Sequence, residues 1–327
     1  MFRQPQPQQS GRLPPQAFFL ISAVFHYLGP SLAVLLFARV GVLGVAWLRI
    51  VSAALVFALW RRPWRWLRPP WSGRHLRLLL GLGVVLAAMN TCFYLAVARL
   101  PLSTVGSIEF LGTVILAAAG ARTRGNAAAL GLTTGGVAMI TALRFAGQPL
   151  GFVFAFGNCV LFMLYVILGH RVARSGPAEH GDGPGGIDLL AAAMLIAAVA
   201  VTPVGLASAL PAFKNPVLVL AGAGVGVCSS VIPYVTDQLA MARLPRATFA
   251  LMLALLPVFA TIIGAIVLRQ FPTPLDLAGI ALVTAGVAVH KEPYPRKGPD
   301  NGLSAARHGR GEGLQDLPGH DELRQQG

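Results

Sequence analysis

Charged side chains are scarce in this chain. They make up 12% of its 327 residues, whereas a soluble globular domain carries about 25%. Most of them are gathered in short breaks and in the C-terminal segment, and between the breaks lie continuous apolar runs. These runs are roughly 20 residues long, which is enough to cross about 30 Å of hydrocarbon. The composition therefore excludes a water-soluble globular protein and indicates a protein embedded in a lipid bilayer.

Cysteines are also few, and their positions do not indicate a site. Cys92, Cys159 and Cys228 fall in three different apolar runs, without the spacing of metal ligands. We interpret them as small apolar core residues. An enzyme within the membrane would need clustered acids for a metal, or a histidine beside an acid at a membrane face, and the sequence has neither. We expect no metal, no other cofactor and no catalytic residues.

The apolar runs number ten, and their continuity predicts α-helices. A membrane barrel would show short alternating strands, whereas a helix satisfies its own backbone hydrogen bonds in lipid. The first run is too long for the apolar core of a signal peptide, so we expect it to be retained. The runs cover 17–38, 41–60, 76–98, 101–120, 125–144, 150–170, 187–210, 216–242, 246–268 and 274–290.

Acidic residues are outnumbered, since 12 Asp and Glu stand against 26 Lys and Arg. With a cytoplasmic N-terminus, the segments on the inner side of the membrane hold 20 Lys and Arg and those on the outer side hold five. This asymmetry predicts a multi-pass protein of the inner (plasma) membrane with both termini in the cytoplasm. The Arg- and Trp-rich inner loop 61–77 is interpreted as an anchor to anionic membrane lipid. We therefore expect no nucleic-acid partner.

An internal repeat relates the two halves of the chain. At an offset of 144 residues, 95–120 aligns with 239–264, and ten of the 26 positions are identical, including an Ala-Arg-Leu-Pro turn that begins at Ala98 and again at Ala242. The offset moves each run five places along the chain, and an odd number of spans reverses its direction through the membrane. The halves are therefore expected to be inverted repeats, which are typical of secondary transporters.

The predicted fold class is an all-α polytopic membrane protein with ten transmembrane helices, arranged as two inverted five-helix repeats. The linker is rich in glycine and proline, and the tail has the composition of a disordered segment. The parts are a cytoplasmic N-terminal segment 1–16, a first repeat 17–170, a cytoplasmic linker 171–186, a second repeat 187–290 and a cytoplasmic tail 291–327.

Two ionisable residues inside the runs are the first candidates for a site, because such groups are costly in lipid. Arg49 and Glu109 each lie nine residues into a run that passes from outside to inside, or about 13 Å below the outer boundary. They either pair and fix the packing of helices or share a polar cavity. Such a cavity would suit a zwitterionic amino acid.

Further polar residues are candidates for binding solute or protons. Asp237 lies near the cytoplasmic end of the eighth run. His26 is either a proton relay or a histidine that bonds a neighbouring helix. Asn90 and Tyr94 either line a cavity or hold helices together.

Breaks in the helices are candidates for hinges. A proline removes a backbone hydrogen bond and leaves a carbonyl free, although prolines also occur in membrane helices without function. The small-residue faces 131–135 and 222–226 are expected to let helices approach closely. The hinge candidates are Gly29, Pro30, Pro233 and Pro257.

Several short motifs recur in one known family. They are Leu48-Arg49, Met89-Asn90, Phe93-Tyr94-Leu95, Glu109-Phe110, Ala178-Glu179-His180-Gly181 and Pro233-Tyr234. Together they resemble EamA-type transporters of the drug/metabolite transporter superfamily, in particular the subgroup of bacterial threonine/homoserine exporters, over roughly residues 17–290. The resemblance implies a ten-helix exporter of small polar metabolites such as threonine or homoserine, driven by protons through alternating access.

The chain departs from the subgroup pattern at two positions. The pattern Glu-Phe-x-Gly-Pro ends here in Thr113, and Met-Glu-Pro becomes Leu255-Leu256-Pro257, which lacks the acid. The solute and the coupling ion are therefore left open. The alternatives are efflux of a drug or another metabolite and a membrane scaffold that transports nothing. The oligomeric state is also left open, with a homodimer as one alternative.

Overall fold

The structure, a computed structural model, describes residues 14–62, 64, 73–120, 123–142, 148–174, 186–241, 252 and 255–289. The regular elements formed by these residues are all helical. They are α1 Pro15–Val40, α2 Val42–Arg61, α3 Gly73–Val97, α4 Leu102–Gly120, α5 Arg124–Ala142, α6 Pro149–Arg174, α7 Gly186–Ala209, the 3₁₀ helix Leu210–Lys214, α8 Pro216–Gly226, the π-helix Val227–Val231, α9 Ile232–Met241, α10 Leu256–Leu268 and α11 Pro274–Val289.

Several helices have the length and the composition of membrane spans. Six of them satisfy both criteria, and Leu102–Leu116, Leu256–Leu268 and Pro274–Val289 are shorter apolar helices. The prediction of an all-helical, multi-pass membrane protein is confirmed, while the number of ten spans stays a prediction. The six spans are Gln16–Val40, Val42–Arg61, Leu76–Val97, Pro149–Gly169, Ile187–Lys214 and Pro216–Asp237.

The helices follow the predicted runs closely, with one informative exception. The eighth run, 216–242, is divided into α8, a π-helical turn and α9. Pro233 has no N–H, so α-helical bonding is interrupted where the π-turn meets α9. Most of the predicted linker, residues 242–251 with the start of the ninth run, the first 13 residues and the predicted tail lie outside the described residues.

A single residue joins the first two helices. Gly41 has a φ of 78°, between Val40 at the end of α1 and Val42 at the start of α2. Glycine adopts this positive φ without the steric cost that a Cβ atom would add. The turn therefore reverses the chain with almost no loop.

Helices from distant parts of the chain pack against each other. The pair α5 and α11, the pair α2 and α7, and the pair α3 and α6 have the most extensive contacts, and α1 lies against both α9 and α10. Helix α4 packs on α5, α6 and α10. The core is thus shared by both ends of the chain, and its centre is lined by side chains from several helices.

Glycines permit the closest of these approaches. A Cβ atom built on Gly136 of α5 would lie 2.5 Å from the carbonyl oxygen of Gly279 in α11. The prediction that the face 131–135 packs closely against another helix is wrong, because a Cβ atom built on Gly131 or Gly135 would have nothing within 4 Å. The face 222–226 does pack closely, since Gly222 lies against Leu48 of α2.

An ion pair ties α2 to α7 near one end of each helix. Arg61 Nε and Nη2 donate to the two carboxylate oxygens of Asp188 at 2.8 and 3.0 Å. Asp188 is in the first turn of α7 and only 7% exposed. This bidentate geometry requires the end of α2 and the start of α7 to lie on the same side of the membrane.

Candidate functional site

A cavity of about 60 Å³ lies among helices α1, α2, α3, α4, α6 and α9. A buried water needs roughly 10–15 Å³ of such space, so the cavity has room for several waters or for part of a small solute. Its lining contains a guanidinium, a carboxyl group, two side-chain amides and several aromatic rings. The lining residues are His26, Pro30, Arg49, Met89, Asn90, Phe93, Glu109, Asn158, Phe162, Tyr165 and Tyr234.

The cation of the cavity is Arg49, which is 6% exposed. Its Nε donates to Ser230 Oγ at 3.1 Å, and its Nη2 donates to the Ser229 carbonyl oxygen at 3.1 Å. Both acceptors are neutral and belong to the π-helical turn. The two hydrogen bonds of the buried guanidinium are thus made to neutral acceptors and not to a carboxylate.

Pro233 explains why a backbone carbonyl is free to accept from Arg49. In an α-helix the carbonyl of Ser229 would accept from the N–H four residues later, and that residue is Pro233, which has none. Arg49 supplies the missing donor. The break in the eighth run and the position of the cation are thus parts of one arrangement.

The carboxylate of the cavity is Glu109 in α4. Its Oε2 accepts a hydrogen bond from Asn158 Nδ2 of α6 at 3.1 Å. One turn further along α4, a Cβ atom on Gly112 would lie 3.0 Å from Cys159 Sγ. The small residue lets α6 approach α4 closely enough for the amide to reach the carboxylate.

Arg49 and Glu109 face the same cavity, but they do not bond to each other. The ion pair within 4 Å that the described residues form is that of Arg61 with Asp188. Arg49 and Glu109 are instead held by neutral partners on different helices. Of the two alternatives from the sequence, the structure brings the two residues to one cavity and leaves them unpaired.

The other candidates from the sequence are divided between the cavity and its surroundings. His26 and Asn90 line it, and Asn90 Nδ2 donates to the Leu86 carbonyl oxygen at 2.7 Å. Tyr94 is fully buried beneath the Arg49 guanidinium and does not line the cavity. Asp237 lies on α9, three residues after Tyr234, and is also not among the lining residues.

The hinge candidates have different surroundings. Gly29 packs directly against Ser229, and Pro30 lines the cavity. Pro233 is the second residue of α9, directly after the π-turn, and its carbonyl oxygen accepts from Ser22 Oγ at 3.3 Å. Pro257 stands in the first turn of α10, where the missing N–H of a proline has no helical partner to lose.

Four polar residues of the site were not singled out from the sequence. Asn158 and Tyr165 are isolated polar residues within the apolar run 150–170, and the rule that selected Asn90 would also have selected them. Ser229 and Ser230 precede Pro233 by four and three residues, a spacing that indicates a freed carbonyl. Their role depends on the approach of α2, which the sequence does not show.

The comparisons with known proteins agree with this architecture. The profile of the EamA-like transporter family matches residues 149–290, from the first residue of α6 to one residue beyond α11. The chain can be superposed on a protein of known crystal structure with a TM-score of 0.50. The alignment covers 85% of this chain and 98% of the other protein, at 22% sequence identity. At that identity the likeness shows a shared fold.

Two bacterial relatives are similar over most of their length. The chain is 31% identical over 264 residues to the threonine/homoserine exporter RhtA of Escherichia coli K12, covering 79% of this chain and 84% of the exporter. It is 29% identical over 277 residues to RhtA of Salmonella typhimurium SL1344, covering 81% and 88%.

Proposed function

The chain belongs to the EamA-like transporter family, and from its cavity we propose that it exports amino acids of the threonine or homoserine type across a bacterial inner membrane. The observation that carries this proposal is that Arg49 and Glu109 face one cavity with opposite charges and neutral partners. The similarity to threonine/homoserine exporters supports the same solute class.

The chemistry of the cavity matches the groups of an α-amino acid. The carboxylate of the solute binds Arg49 through charge-assisted hydrogen bonds, and its ammonium binds Glu109. Asn90 directs its amide N–H to Leu86, so its side-chain oxygen is the acceptor for a hydroxyl on the solute. A volume of about 60 Å³ favours a small solute over a bulky drug.

We propose ten spans in two inverted halves, with both termini cytoplasmic. The helix contacts support two related halves. If every span is replaced by the span five places along the chain, with α8 and α9 together as the eighth span, each of the pairs with the most extensive contacts becomes a contacting pair. The pair α3 and α6 becomes α8–α9 and α1, and the pair α4 and α6 becomes α10 and α1. The pairs α2 with α7 and α5 with α11 map onto themselves. This pattern is what a two-fold axis between the halves would produce.

The division between the halves is proposed to lie before α6 instead of at the linker 171–186. The linker has six predicted runs before it and four after it, whereas the family match begins at residue 149 and includes α6. Each half then has five spans. The ion pair requires Arg61 and Asp188 to lie on the same side of the membrane. This agrees with the predicted orientation, in which both are cytoplasmic.

Transport is proposed to be proton-coupled and to proceed by alternating access. Glu109 is the proton carrier, since it is the carboxylic acid among the lining residues. The other titratable lining residues are His26, Arg49, Tyr165 and Tyr234. The two similar halves provide two states that open to opposite sides. A proton and an amino acid that share Glu109 are thereby linked.

Counterflow in proteoliposomes tests the function. Vesicles loaded with unlabelled L-threonine should accumulate labelled L-threonine when they contain the wild-type protein, and Arg49→Gln should abolish the accumulation. Arg99→Gln is the matched control, because Arg99 does not line the cavity and donates to the Leu95 carbonyl oxygen of the preceding helix α3. Equal accumulation by wild type and Arg49→Gln would refute the site, and no counterflow of any amino acid would refute the function.

A further inference from the structure

Each charge in the cavity is held by a neutral group from the other half of the chain. Arg49 on α2 bonds to Ser230 of the π-turn, and Glu109 on α4 bonds to Asn158 of α6. Ser230 and Asn158 are both 1% exposed. These two contacts cross the boundary between the proposed halves. Arg49, Glu109 and Asn158 line the cavity, and Ser230 bonds to the lining residue Arg49.

We propose that Ser230 and Asn158 are placeholders, which an amino acid displaces as it binds. The carboxylate of the solute takes Arg49 from the Ser230 hydroxyl, and its ammonium takes Glu109 from the Asn158 amide. The inference rests on the proposed function, because it uses the same cavity and solute. It adds two positioning residues and a reason for the preference for zwitterions.

The physical basis is the difference between neutral and charged partners. A buried charge without any partner is costly, so the cavity needs the hydroxyl and the amide while no solute is bound. Each placeholder bond joins an ionised group to a neutral one, whereas a solute group of opposite charge adds Coulomb attraction between two ionised groups, and this attraction is stronger where water is excluded. A zwitterion therefore outcompetes both placeholders at once.

Displacement has a mechanical consequence. The contact of Arg49 with Ser230 is one of two hydrogen bonds between Arg49 and the π-turn, and the contact of Glu109 with Asn158 joins α4 to α6. Their loss removes two ties between the halves, while the bond of Arg49 to the Ser229 carbonyl remains. A ligand shifts a conformational equilibrium by its differential affinity for the two states. A solute with both charges releases both ties, while an amine or a carboxylate alone releases one.

Equilibrium binding of labelled L-threonine to the purified full-length protein tests the first placeholder. Ser230→Ala removes the competitor for Arg49, so the affinity should increase by about three- to tenfold. Ser52→Ala is the matched control, since Ser52 Oγ donates to the Arg49 backbone carbonyl and not to the guanidinium; its affinity should stay within about twofold of wild type. Unchanged or weaker binding by a folded Ser230→Ala protein would overturn the proposal.

Charge-deleted analogues separate the two placeholders. Ser230→Ala should strengthen binding of L-threonine and of N-acetyl-L-threonine, which keeps the carboxylate, but not of L-threoninamide, which lacks it. Asn158→Leu should strengthen binding of L-threonine and of L-threoninamide, which keeps the ammonium, but not of N-acetyl-L-threonine, which lacks it. Thr113→Val is the control for this variant, because the Thr113 hydroxyl bonds within α4. If Asn158→Leu does not fold, Asn158→Ala is used. If a variant binds all three solutes more tightly, whichever charge the analogue lacks, the displacement proposal is contradicted.

Failure of the inference differs from failure of the proposed function. If the wild type neither binds L-threonine nor exchanges it, both fail. If the wild type binds and exchanges L-threonine but Ser230→Ala and Asn158→Leu match it in affinity, the proposed function stands and the placeholders are refuted. Thermal unfolding of each variant confirms that the compared proteins are folded.

Discussion

The guanidinium carbon of Arg49 lies 5.1 Å from the centre of the Tyr94 ring. Tyr94 is fully buried on α3, and its ring meets Phe37 of α1 edge to face at 5.8 Å between centroids. A cation over an aromatic face is attracted by the ring quadrupole, more strongly when water is absent. Tyr94 therefore contacts the Arg49 guanidinium from the buried side, while Arg49 also lines the cavity.

Replacing the ring should impair the binding of solute through Arg49. Tyr94→Leu loses about 0.5–2 kcal/mol of cation–π attraction, so the affinity for L-threonine should fall by roughly two- to thirtyfold. Tyr94→Phe keeps the ring and should remain near the wild-type affinity. Equilibrium binding measures both. A loss in Tyr94→Phe as large as that in Tyr94→Leu would indicate that the hydroxyl, and not the ring, is responsible.

Glu109→Gln should uncouple transport from the proton gradient. Glutamine keeps the shape of the side chain and can still bond to Asn158, but it carries no exchangeable acidic proton. Export of L-threonine from vesicles should respond to an imposed pH difference in the wild type and lose most of this response in the variant. Asp237→Asn is the comparison, since Asp237 does not line the cavity. A wild-type response in Glu109→Gln would assign the proton to another group.

The ion pair between α2 and α7 should stabilise the fold and not the site. Arg61→Ala removes two hydrogen bonds to the buried Asp188 carboxylate, at a cost of roughly 1–3 kcal/mol. Arg61→Lys cannot form the bidentate contact, so its stability should lie between that of the wild type and that of Arg61→Ala. Thermal unfolding in detergent measures the loss, and binding of L-threonine by the folded variant should be unchanged. A change in affinity without a change in stability would contradict a structural role.

The sequence predicted most of the helices well because the bilayer constrains them strongly. Apolar length and charged breaks are local properties, and apart from the ninth run they located the ends of the helices within a few residues. The ninth run was predicted from 246, whereas α10 begins at Leu256, and most of the residues between lie outside the described part of the chain. The division of the eighth run was not predicted, although Pro233 was noted as a hinge. A proline shows where a hydrogen bond is lost, but the π-turn depends on what occupies the freed carbonyl, which here is Arg49 from a distant helix.

The site was only partly predictable for a similar reason. Rare charges in apolar runs indicated Arg49 and Glu109, since burial of a charge needs a cause. The sequence did not distinguish a pair from a shared cavity, because that depends on the rotation of α2 and α4 about their axes. Asp237 satisfied the same rule but does not reach the lining. Neutral partners such as Asn158 carry a weaker signal, because amides and hydroxyls also join helices without a site.

The close contact of α5 with α11 provides a sharp test of the packing. Gly135 and Gly136 are adjacent in α5, but a Cβ atom on Gly136 would lie 2.5 Å from the Gly279 carbonyl oxygen, whereas one on Gly135 would have nothing within 4 Å. The backbone oxygen cannot move aside as a side chain could, so Gly136→Ala should lower the free energy of unfolding by about 1–3 kcal/mol.

Gly135→Ala is the control for this contact, since it adds the same methyl group one residue away. It should leave stability unchanged or raise it by up to about 1 kcal/mol, because alanine favours a helix over glycine. Thermal unfolding of the two variants in the same detergent makes the comparison. Equal effects would mean that α5 is rotated relative to α11 from the arrangement described, whereas a selective loss in Gly136→Ala would support the orientation of both helices.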